Sequence, residues 1–120
     1  MVRILAISSP LDRYLDHSQS VSIAKSWHPA TRRRLESIGP SIRSWRRARG
    51  LSATEVADRS GISRTTLRQI ETDPSGVSFG NVFAVLSVLG VDHKVAQAVD
   101  PLEDLVGRTL VLSALEKKAR

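Results

Sequence analysis

The sequence predicts an all-α fold, and three observations point that way. Apolar residues recur at spacings of three and four from Leu35 onward. Serine and aspartate start signals alternate with glycine stop signals every ten or so residues. Hydrophobic residues make up 41% of the chain but aromatics only 4%. The core must therefore be built from Leu, Val, Ile and Ala, which suits small packed helices better than a sheet. At 120 residues the chain accommodates one small domain with tails.

Residues 1–34 read as a basic, largely disordered extension. Serines at 8, 9, 18, 20, 22 and 26 mix with isolated apolar residues, without a sustained period of 3.6 or 2. Two fragments within it are candidates for order. Val2–Ile7 could form a short strand and Val21–Trp27 a turn or two of helix, which Pro29 would stop. The extension ends in Arg32, Arg33 and Arg34, a basic arm suited to a minor groove or to backbone phosphates.

The domain proper spans residues 35–99. Leu35, Ile38, Ile42 and Trp45 form the stripe of an amphipathic helix. Proline is comfortable only in a first turn, so the regular helix is expected to start near Gly39, just before Pro40, and to stop at Gly50. Trp45 falls on the stripe and is expected in the core. Trp27 is either exposed or docked on a partner.

Ser52-Ala53-Thr54-Glu55 is a capping box, in which the serine hydroxyl and the glutamate carboxylate each accept a free backbone N–H at the helix start. This second helix buries Val56 and Ala57 and ends at Ser60-Gly61. Ser63 caps a third, with Leu67 and Ile70 inward and Arg64, Thr65, Arg68 and Gln69 outward. Asp73-Pro74-Ser75-Gly76 is a turn. Ser78 opens a fourth, nearly all-apolar helix through Val82, Phe83, Val85, Leu86 and Leu89, which Gly90 closes. A fifth runs from about Asp92 to Val99. Residues 100–120 form a short C-terminal tail. There Asp100-Pro101 starts a brief helix, Gly107 breaks it, and Thr109–Leu115 is either strand or helix; this tail is available to a dimer mate or partner.

Charge and missing groups narrow the function. The formal net charge is +6, divided as +7 over residues 1–50 and −1 over 51–120, a basic arm on a balanced domain. With no cysteine there is no disulfide scaffold, no thiolate nucleophile and no Cys-ligated zinc. His17, His28 and His93 sit in unrelated segments, with no His-x-x-x-His, Gly-x-Ser-x-Gly or Gly-rich phosphate loop. An enzyme is not expected, nor a metal or cofactor. No run is long enough to cross a membrane and no secretory signal is evident, so a cytoplasmic protein is expected.

Two short helices joined by Gly61-Ile62-Ser63 meet the geometric requirement of a helix-turn-helix. The segment Leu51–Glu71 resembles the Xre/Cro/C1 type of bacterial and phage repressor, through Ala57, Gly61, Ile62, Ser63, Leu67, Ile70 and Glu71. The resemblance covers about residues 35–99 and implies a five-helix, lambda-repressor-like DNA-binding domain. It departs at Ala53, where the family usually carries a phosphate-binding Gln. The continuation Glu71–Gly80, with Leu89-Gly90 and Asp100-Pro101, further resembles HipB-like antitoxins. In that group a homodimer represses its own operon and holds a HipA-like kinase toxin.

On this reading Arg64 can offer its guanidinium fork to guanine, Thr65 can meet a thymine methyl or a phosphate, and Gln69 can read adenine. Arg68 lies one turn beyond Arg64 and can take either base or phosphate. Arg43, Arg47, Arg49, Ser52, Ser63 and Thr66 are the expected phosphate contacts on double-stranded DNA. Arg46 matches a family position that pairs with the glutamate ending the recognition helix, here Glu71. The expected function is a homodimeric repressor of its own operon that reads an inverted repeat through residues 63–71. The alternative is an antitoxin subunit that restrains a HipA-like kinase, with DNA contact secondary.

Overall fold

A computed structural model describes residues 26–119. Six α-helices follow one another: α1 (Pro29–Ala48), α2 (Ala53–Ser60), α3 (Arg64–Thr72), α4 (Phe79–Val88), α5 (Asp92–Val99) and α6 (Leu105–Ala119). Two 3₁₀ turns, Pro74–Gly76 and Pro101–Glu103, join α3 to α4 and α5 to α6. Among the described residues there is no strand, and no helix is long and apolar enough to cross a membrane. The expected strand at Val2–Ile7 lies outside the described residues, as does most of the expected helix at Val21–Trp27.

The first helix differs from its sequence reading at its start. Pro29 opens a helix instead of stopping one. It occupies the first turn, where its missing N–H is no loss, and His28 Nδ1 accepts the Ala30 N–H at 3.1 Å as the cap. The helix then continues through Pro40. That proline lies on the exposed face, so the carbonyl of Glu36 that it leaves unpaired can turn to water. Arg32, Arg33 and Arg34 are therefore helical residues of α1 and not a flexible arm, and the ordered unit reaches back past residue 35.

Gly39 is the reason α1 can lie where it does. The backbone at the end of α3 crosses it so closely that a Cβ there would stand 2.7 Å from the Glu71 carbonyl oxygen and 2.8 Å from that of Ile70. The glycine is a crossing point and not a helix start.

The next three helices form as their local signals dictate. Ser52 Oγ accepts the Glu55 N–H at 3.1 Å while Glu55 Oε1 accepts the Ser52 N–H at 2.9 Å. Gly61 ends α2 with φ +73°, the left-handed conformation that glycine adopts without strain. Ser63 Oγ caps α3 through the Thr66 N–H at 3.0 Å, and Ser78 Oγ caps α4 through the Asn81 N–H at 3.2 Å. Ile42 of α1, Val56 and Ala57 of α2, Leu67 and Ile70 of α3, and Val82 and Val85 of α4 meet with Leu89 and Val91 in one aliphatic core.

Two expectations for packing are corrected. Trp45 is 37% exposed and not in the core. The cations of Arg49, at 5.3 Å, and Lys94, at 5.0 Å, lie over its ring. Ile38, Trp45 and Trp27 instead line an apolar groove between α1, α4 and α5, of about 500 Å³. In the tail, Gly107 does not break a helix. Asp100 caps only the 3₁₀ turn, through the Leu102 N–H at 2.9 Å. Asp104 then accepts the Gly107 N–H at 2.9 Å and starts the 15-residue α6, so the described residues follow the five helices with a long sixth one where the tail was expected to hold a brief helix broken at Gly107. A Cβ at Gly107 would stand 2.8 Å from the Pro101 Cα, so glycine is what lets α6 lie against that turn.

Candidate nucleic-acid interface

The geometry of α3 follows from its two ends. The cap at Ser63 sets where the helix begins, and the buried Leu67, Ile70 and Glu71 set which way it is turned. Arg64, Thr65, Arg68 and Gln69 then fall on one exposed arc of about 140° opposite that buried side. Gln69 stands at the far end of this row beside Gly76, since a Cβ there would lie 3.2 Å from its Nε2.

Glu71 closes the buried side of α3. Arg46 Nε donates to its Oε2 at 2.7 Å and Arg46 Nη2 to its Oε1 at 3.1 Å, while Arg46 Nη1 donates to the Leu51 carbonyl at 3.1 Å. Arg43 Nε adds a bond to Oε1 at 3.3 Å. Burial alone would raise the Glu71 pKa, but the two guanidinium groups outweigh it and hold the carboxyl below its ordinary range. The Arg46 side chain thus ties α1, the α1–α2 loop and α3 together.

Beside this pair a cleft of about 220 Å³ opens between α1 and α3. Five arginines border it: Arg43, Arg46 and Arg47 from α1, with Arg64 and Arg68 from α3. Its floor is Ala53 and Leu67. Against these five guanidinium groups stands the single carboxylate of Glu71, so the cleft carries a strong positive field. Ala53 is the position at which the sequence departs from the resembled family. Its short side chain leaves the cleft open and its rim to arginine.

The other expected phosphate contacts divide. Ser52 and Ser63 are exposed at the starts of α2 and α3, but both hydroxyls are engaged as caps. Ser63 Oγ also donates to Thr66 Oγ1 at 2.9 Å, which leaves the Thr66 hydroxyl proton as the donor of that pair. Arg49 lies apart from the cleft, over Trp45 and next to Gly90. Of the three arm residues, helical geometry puts Arg32 and Arg33 on the α1 side of Arg43 and Arg47 and turns Arg34 away from it. Among the described residues no group of His, Cys, Asp or Glu could hold a metal ion.

Sequence reasoning missed Gly39 and the convergence of α1 and α3 arginines on one cleft. The signal for the second was present, since Arg43 and Arg47 are one turn apart on α1 and Arg64 and Arg68 one turn apart on α3.

Residues 42–95 match the helix-turn-helix family model, a span that begins within α1 and ends within α5. A domain of this kind points to a DNA-binding transcription regulator. Neither the curated proteins nor the solved structures compared with the chain gave a match.

Proposed function

We propose that this protein is a sequence-specific DNA-binding repressor that acts as a homodimer on its own operon and reads an inverted repeat. One observation carries the reading: Arg64, Thr65, Arg68 and Gln69 form a single exposed row on α3, held by the buried Glu71. The row is short enough to enter a major groove and presents the groups that recognise guanine, thymine and adenine edges. Arg43 and Arg47, at the border of the cleft, neutralise the flanking phosphates. Two copies related by a two-fold axis place their α3 helices in successive major grooves about 34 Å apart, which makes the operator a palindrome. The protein binds and positions, and does no chemistry of its own.

Selection of bound duplexes from a random pool tests this directly. Enrichment of an inverted repeat is the expected result, and recovery of unrelated sequences overturns the reading. On the enriched duplex, Arg64→Ala should cost about 1 to 3 kcal/mol while binding to random duplex hardly changes. Equal loss on both would assign Arg64 to phosphate and not to bases.

A further inference from the structure

Helix α6 leaves the domain with most of its surface uncovered. Leu105 is 74% exposed, Val106 65%, Leu110 64%, Leu112 56% and Leu115 58%. Among the described residues, only the side of Gly107 and Val111 is partly covered, Gly107 by the Pro101–Glu103 turn. A helix with this much exposed apolar surface is one that packs against something else.

We propose that α6 pairs antiparallel with the α6 of a second copy of this chain. Leu105, Leu112 and Ala119 recur every seven residues and Leu115 falls three after Leu112, the spacing of a helix–helix seam. Charge selects the direction. The segment entering α6 is acidic, with Asp100, Glu103 and Asp104, whereas its last turn carries Lys117 and Lys118. An antiparallel pair lays the acidic entry of each copy against the basic end of the other, twice over. A parallel pair would set like against like at both ends.

Leu105, Leu112 and Leu115 on that seam are each more than half exposed. Antiparallel pairing about a two-fold axis is also self-complementary, so it closes at two copies and leaves no open end. The inference deepens the homodimer reading above and rests on it for its link to operator symmetry.

Sedimentation equilibrium on the full chain is the test. A dimer is expected, and Leu112→Arg with Leu115→Arg should raise its dissociation constant at least tenfold. Both positions are exposed, and unchanged circular dichroism will show that the helices persist. Glu103→Lys and Lys117→Glu should each weaken the dimer about threefold, and the two together should restore it. A monomer at 100-micromolar concentrations, a dimer indifferent to the leucine changes, or a charge pair that fails to rescue would each overturn the proposal. Binding to one half of the enriched repeat reads the α3 surface alone. Loss of that binding in the unaltered chain sinks the regulator reading while the sedimentation result stands.

Discussion

Glu71 shows how a single carboxylate can hold a helix, here α3, in register. Its side chain is 4% exposed and is shared by Arg46 and Arg43. The folded pKa is lowered, so its stabilising effect is complete above the ordinary glutamate range and is lost as pH falls through the folded value. Urea titrations should show stability declining on acidification below that range. Glu71→Gln should cost about 3 kcal/mol at neutral pH, because Arg46 is left largely buried without its counter-charge, and should flatten the acid dependence. The Arg46–Glu71 pairing could be expected from the resemblance alone. The added bond from Arg43 could not, since it depends on how α1 crosses α3. Trp45 fails as a core residue for a related reason. Periodicity gives its angle on the helix but not what covers that angle, and a groove lies there.

At the scale of elements, legibility followed the locality of the signal. The starts of α2, α3 and α4 are hydrogen bonds within four residues of sequence, so Ser52, Ser63 and Ser78 announce them. The extents of α1 and α6 depend on distant contacts. Pro40 and Gly107 resemble stops, yet Pro40 faces water and Gly107 makes room for the Pro101 turn. Gly39 is the sharpest such case. Replacing it with alanine forces a methyl against two backbone carbonyls that cannot swing aside, and should cost about 3 kcal/mol despite alanine's better helix propensity. Thermal unfolding of Gly39→Ala checks this; a neutral or raised midpoint would mean that α1 and α3 can separate at no cost.

Over the whole molecule the +6 charge is distributed unevenly, +7 over residues 1–50 and −1 over 51–120. Three arginines of the basic first half, Arg43, Arg46 and Arg47, border the cleft, where they meet Arg64 and Arg68 from a half that is otherwise balanced. Arg43 and Arg47, proposed for phosphates, and Arg64 and Arg68, proposed for bases, therefore border one cleft although they come from different stretches of chain. Arg47→Ala should reduce the log–log salt slope of binding by about 0.9 and leave the ranking of duplexes unchanged. Gel-shift titrations at several salt concentrations measure both quantities, and an unchanged slope would remove Arg47 from the phosphate contacts.

The two tryptophans of the chain, Trp27 and Trp45, both line the groove on the side of α1 away from the arginine cleft. The protein thus carries its own optical reporter, and that reporter is deaf to the cleft. Trp45 has against its ring the cations of Arg49, just past the end of α1, and of Lys94 in α5, so its emission registers a change in the spacing of those two helices. A duplex seated on α3 should leave the emission spectrum nearly still, and a spectral shift on adding DNA would be the signature of a movement transmitted through α1.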